Sequence, residues 1–353
     1  MSNSVNFNNS KLLDGIKILE FSAIGPVPWG VSILADLGAT VTRIIRASTS
    51  TPQNSSKSND IMSERGRQNV YLNLKNTNDR EKALELIKEH DVLIEGMRPG
   101  VMERFGLSPS ECSKVNPSLV YARVTGWGQE GPLAPRAGHD INYIALSGVL
   151  NAIGPKENPV IPLNLVGDYG GGGAFMIIGI LSALLNSKAT KEGSVLDIAM
   201  VDGAIRQIGI AYERYAEGVW IDKRSSNILD GGAPWYNVYK TKCGGFMAVG
   251  AIEPQFYLEL LMGLELNPDT LPERHNRDNW SELKTIFEQR FSTKTRKEWS
   301  AIFESTDACV TPVLSLSEAP KHPHNVFRKA FITANSGHKL PACAPRASPL
   351  KDN

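Results

Sequence analysis

Ile16-Lys17-Ile18-Leu19-Glu20-Phe21, the apolar run from Pro28 to Leu37, and Thr40-Val41-Thr42-Arg43-Ile44-Ile45 together decide the fold. A short β-branched run, an apolar helix and a second β-branched run make a βαβ unit, whose two strands lie parallel. The same rhythm continues outward. Val70 to Leu74, Asp91 to Glu95 and Leu119 to Val124 are further strand candidates. Between them Asn78-x-x-Glu81 opens a helix through Leu84 and Ile87 as a capping box. Runs this continuously apolar belong to strands covered on both faces, which implies an α/β domain around a parallel sheet.

Further along, helices are expected around Ile141 to Leu150, from Gly173 to Leu185 and from Val201 to about Tyr215, with a strand at Ser194 to Ala199. After the Gly/Pro-rich turn from Asp230 to Pro234 the pattern changes. Tyr236 to Thr241 and Phe246 to Gly250 form a hairpin, followed by helices at about Pro254 to Met262, Trp280 to Arg290 and Lys294 to Phe303. These features predict a large domain over 1–229, joined again by the tail 326–353, and a smaller α+β domain over 230–325. The serine-rich stretch 47–64 reads as a loop.

The totals narrow the function classes. A chain of 353 residues is too long for one small core, and 41% hydrophobic with 21% charged residues is an ordinary globular balance. A formal charge of +1 excludes a general nucleic-acid or polyanion binder. The start, Met1 to Asn9, is polar, and the apolar stretch from Phe175 to Leu185 is about half of what a membrane span needs. The expectation is therefore a soluble chain without a membrane span. The ending Leu350-Lys351-Asp352-Asn353 is not a peroxisomal tripeptide, and the cytoplasm is the expected compartment, with mitochondria or peroxisomes open for a eukaryotic chain. Cys112, Cys243, Cys309 and Cys343 lack metal or redox spacing and read as reduced thiols, buried as small hydrophobes. His322 and His324 have no third ligand nearby, so neither a metal nor another cofactor is expected.

Two titratable residues stand in unusual surroundings. His139 lies in Gly138-His139-Asp140-Ile141-Asn142-Tyr143, and Asp168 lies in Asn164-Leu165-Val166-Gly167-Asp168-Tyr169 before Gly170 to Gly173. Each sits at the mouth of an apolar helix, where ionisation and proton transfer are tunable. The four glycines have two readings: exposed N–H groups that hold an oxyanion, or bare backbone for close helix packing with Asp168 as the cap. Asp140 suits the N-cap of the helix after His139, and Glu253 is of the type that orients an imidazole. Arg43, Arg46, Arg65, Arg67, Lys75, Arg98 and Arg104 flank the turns of the first domain. They are either a solvated surface or a phosphate-binding cluster at strand ends.

Taken together, Gly15 to Glu20, Leu34 to Ala39, Leu72-Asn73-Leu74-Lys75, Gly96-Met97-Arg98-Pro99-Gly100, Gly138 to Tyr143, Asp168 with its glycines and Gly250 to Gln255 resemble the family III CoA-transferase superfamily. Within it they are most similar to the α-methylacyl-CoA racemases, over nearly the whole chain. The resemblance implies a doubly wound large domain, a small α+β domain and two chains interlocked as a homodimer, with the active site between them. It implies that His139 and Asp168 are the acid/base pair, with Glu253 the partner of His139. It further implies that Arg46, Leu72, Asn73, Leu74, Lys75, Gly96, Met97, Arg98, Arg104, Gly138, Asp140, Ile141, Asn142 and Tyr143 contact CoA or the acyl thioester. The substrate implied is a 2-methyl-branched acyl-CoA, racemised by 1,1-proton transfer. The alternative is CoA transfer between carboxylic acids through an Asp168 anhydride and thioester, and a third is a silent acyl-CoA binder.

Overall fold

The computed structural model describes residues 11–47, 66–334 and 337–347. Six strands, β1 (Lys17–Phe21), β2 (Thr40–Arg46), β3 (Arg67–Leu72), β4 (Val92–Glu95), β5 (Val120–Thr125) and β6 (Ser194–Ala199), form one parallel sheet in the order β3-β2-β1-β4-β5-β6. The winding reverses between β1 and β4. In sheets of this kind a crevice opens there, beyond the carboxyl ends of the strands, and ligands bind in it.

The alternation of side chains along each strand explains why the sheet is covered on both faces. Ile18, Val92 and Ile94 join one core with Val27, Val31 and Leu34 of the helix Pro26–Asp36 and with Met176 and Ile180. Leu19, Phe21 and Leu93 join the opposite core with Ala83 and Ile87 of the helix Thr77–Glu89. That helix is capped by Asn76, whose side chain accepts from Asn78 N–H, in place of the cap expected at Asn78. Two acidic strand residues are neutralised inside: Glu20 pairs with Arg67 at 2.5 Å and Glu95 with Arg123 at 2.9 Å. Removing one partner of such a buried pair costs about 3–5 kcal/mol.

Several elements differ from the sequence expectation. The helix expected from Gly173 starts at Leu165, where a π-helical stretch, Leu165–Ala174, leads directly into the α-helix Phe175–Thr190. This helix is long and apolar enough to cross a membrane by length and composition, yet Met176, Ile180, Ala183 and Leu184 pack into the core of the sheet. The helix expected over Ile141 to Leu150 is broken at Gly148, φ +84°, into Asp140–Leu146 and Val149–Ala152. Only Cys112 among the four cysteines is buried.

Contacts divide the chain into one compact unit of 1–149, 162–209 and 343–353 and another of 150–161 and 210–342. The second unit thus begins before 230 and keeps most of the tail. One physical reason is Arg224, which donates to the carbonyls of Asn151, Pro155 and Lys156 and ties the two stretches together. Within that unit β7 (Tyr236–Lys240), β8 (Phe246–Gly250) and β9 (Val310–Pro312) form an antiparallel sheet. The helices Pro254–Gly263, Trp280–Phe291 and Arg296–Phe303 close an aromatic core of Trp235, Tyr239, Phe287, Phe291 and Trp299 over it.

Candidate active site

A cleft of about 500 Å³ opens where the sheet order reverses. Its walls are the turn after β1 with the start of the next helix (Ser22 to Val27), the turn after β4 (Gly96 to Pro99), the end of β5 with the turn after it (Val124 to Trp127), Ala134, the stretch from Arg136 to His139, and Tyr143, Asp168 and Met200. His139 and Asp168 therefore line one cavity, although they stand 29 positions apart in the sequence.

His139 occupies the N-cap position of the helix Asp140–Leu146, and the Asn142 side chain accepts from His139 N–H at 3.0 Å. The expected cap, Asp140, is instead the first helical residue. It is buried, and its Oδ2 accepts from Asp168 N–H at 2.7 Å. The imidazole of His139 belongs to an exposed residue that lines the cleft. Tyr143, one turn on, donates to Gly138 O at 2.5 Å and packs edge-on against Trp127. Gly126 is glycine for a steric reason: a Cβ there would lie 2.2 Å from the Tyr143 ring.

Asp168 projects from the π-helical stretch and is half-buried. Burial pushes its carboxyl above the usual carboxylate range, opposed by a hydrogen bond from Asn164 Nδ2, while the negative charge of Asp140 adds to the rise and His139 opposes it. Gly25, at φ +69°, lets the turn after β1 pass the carboxyl, since a Cβ there would stand 3.3 Å from Asp168 Oδ2. The four glycines that follow resolve toward packing. Cβ atoms on Gly170, Gly172 and Gly173 would strike the side chains of Gln207, Pro26 and Trp29, and one on Gly171 would strike Met200 O, so neighbouring elements pack directly onto this bare backbone. They lie inside a helix and not at its exposed start, and Asp168 is its fourth residue and not its cap.

Of the other expected contacts, Gly96, Met97, Arg98, Gly138 and Tyr143 line the cleft. Arg46 and Leu72 face each other in register at the carboxyl ends of β2 and β3, followed by Asn73, Leu74 and exposed Lys75. These lie outside the cleft lining but on the same carboxyl edge of the sheet. Arg104 is exposed at the end of the helix Val101–Arg104, and Ile141 and Asn142 are exposed beyond the lining. Glu253 belongs to the second unit, where it is the N-cap residue of Pro254–Gly263. The arginine cluster is partly structural: Arg67 is held by Glu20 and Pro28 O, and buried Arg43 donates to Asn69 Oδ1, whereas Arg65 and 48–64 lie outside the described residues. Sequence reasoning missed Gly25, Trp127, Arg136 and Asn164. A glycine-proline turn directly after the first strand was the available signal for Gly25.

Residues 13–351 match the family model described as CoA-transferase family III. The chain belongs to that family. It is 44% identical over 96% of its length to α-methylacyl-CoA racemase of Mus musculus, covering 86% of that protein, and 43% identical over 94% to the Homo sapiens protein of the same name, again covering 86%. Acetyl-CoA:oxalate CoA-transferase of Acetobacter aceti, another relative, is 30% identical over 90% of the chain and 85% of that protein. In fold, this family III member resembles a solved CaiB/BaiF family protein from Brucella suis, with a TM-score of 0.79 at 22% identity over 97% of this chain and 93% of that one. Rv3272 of Mycobacterium tuberculosis gives 0.77 at 23% identity, over 97% and 94%.

Proposed function

We propose that this protein interconverts the (2R) and (2S) forms of a 2-methyl-branched acyl-CoA by 1,1-proton transfer. The observation that carries this is the joint presence of His139 and Asp168 on one cleft at the switch point of the sheet. The 44% identity to a protein named α-methylacyl-CoA racemase supports it.

The thioester carbonyl acidifies the α-hydrogen, so removing that proton leaves an enolate. In one direction His139 takes the proton and protonated Asp168 delivers one to the opposite face; in the other the roles exchange. A carboxyl whose pKa is raised by burial suits this duty, because it is more readily present as the acid. In this scheme backbone N–H groups at the start of the helix Asp140–Leu146, next to His139, hold the developing enolate oxygen. One such preorganised donor contributes about 3–4 kcal/mol. The CoA portion runs along the carboxyl edge of the sheet, toward Arg46 and Lys75, with Arg98 and Arg104 nearer its start. No cofactor or metal is required by this chemistry. Glu253 orients His139 from a second chain in an interlocked homodimer.

Deuterium entering C2 of a 2-methylacyl-CoA in D₂O, with no acceptor acid present, is the expected result. Absence of exchange across several chain lengths would exclude the racemase. CoA passing to an added carboxylate, with hydroxylamine trapping an Asp168 ester, would establish the transferase chemistry named for the Acetobacter relative instead.

A further inference from the structure

We propose that Asp140 is a positioning residue: its carboxylate anchors the π-helical turn that carries Asp168 and so fixes where the Asp168 carboxyl meets the cleft. Three observations lead there. First, the π-helical stretch begins at Leu165 and its first i to i+5 bond runs from Tyr169 N–H to Asn164 O. The N–H of Asp168 lies before that bond and has no partner within the helix, and Asp140 Oδ2 supplies it at 2.7 Å. Second, the backbone approaches Asp140 as closely as glycine permits. A Cβ on Gly167 would stand 2.7 Å from Asp140 Oδ2, so the residue beside Asp168 is bare where the carboxylate seats. Third, the anchor is expensive. Asp140 is 6% exposed, and its Oδ1 is buried with no hydrogen-bond partner among the described residues. A buried carboxylate oxygen left unsatisfied destabilises the fold.

His139 and Asp140 are consecutive, so a single dipeptide sets both groups of the acid/base pair. The backbone of His139 places the imidazole, while the side chain of Asp140 holds the backbone of Asp168. Slippage of the π-helical turn would move one proton-transfer group relative to the other without touching the rest of the cleft. Misplacement by about 1 Å costs on the order of a hundredfold in rate.

This rests on the proton-transfer reading, and its test has one readout that does not. Peptide-level hydrogen exchange over 164–172 reports the anchor directly, in the full chain and without substrate. Asp140→Asn keeps a carbonyl acceptor of the same shape; it is expected to keep that protection and to hold kcat for α-proton exchange within about threefold. Asp140→Ala removes the acceptor. It is expected to lose protection over 164–172 alone, with kcat down about a hundredfold while KM and CoA affinity stay within about twofold. Wild-type protection or wild-type kcat in Asp140→Ala would overturn the proposal. So would a tenfold or greater fall in kcat in Asp140→Asn, a result that stands even if the alanine variant does not fold. An inactive wild-type enzyme would instead remove the proton-transfer reading, leaving the exchange readout to judge the anchor.

Discussion

Asp168 is held between two opposing influences, and each has a measurable consequence. Burial and the nearby Asp140 charge favour its acid form, and the Asn164 amide favours the carboxylate. Because ionisation is harder in the folded chain than in the unfolded one, the folded state binds more protons between the two pKa values. Stability then falls as pH rises through that window. Asp168→Asn removes the penalty and keeps a carbonyl oxygen for Asn164 Nδ2. Above the unfolded carboxyl value of about 4, the variant is expected to melt higher than the wild type, and below it the two melt alike. Thermal scans across pH test this, and a wild type that melts higher at neutral pH would contradict it. The same variant is expected to lose at least a hundredfold or so in α-proton exchange, because one of the two transfer groups is gone.

At the level of elements, the decisive contact is the π-helical stretch Leu165–Ala174 lying against the helix Met200–Gln207. Gly203 meets Gly171 there so closely that a Cβ on Gly203 would stand 2.1 Å from Gly171 O. Gly203→Ala is therefore expected to destabilise the chain by about 1–3 kcal/mol, read by urea unfolding, although alanine is the better helix former. A neutral or stabilising result would mean that the two helices separate at little cost. This contact also explains what the sequence withheld. Strands such as Val92 to Glu95 are legible because every side chain in them is buried. Four consecutive glycines carry low helix propensity and no periodicity, so only packing partners far away in sequence make them helical. His139 and Asp168 stood out through their local motifs. The anchoring by Asp140 did not, since it depends on which distant backbone reaches a carboxylate whose sequence position suited a cap.

On the scale of the whole molecule, the long helix Leu165–Thr190 is predominantly apolar, at a mean hydropathy of 1.4 in an 18-residue window, yet Ile178 and Leu185 remain 58% and 74% exposed. The proposed interlocked homodimer brings Glu253 of one chain to His139 of the other. Complementation tests that assignment. His139→Ala and Glu253→Gln each disable both sites of their own homodimer. If the two residues of a site come from different chains, a mixed dimer has one site with both defects and one with neither. Random pairing after co-expression at equal levels then gives half mixed dimers with half their sites intact, so about a quarter of wild-type exchange returns. If each site draws both residues from one chain, every site in every dimer carries one defect. Exchange in the co-expressed preparation would then stay at the level of the single variants, and Glu253 would lose its place as a partner contributed across the dimer.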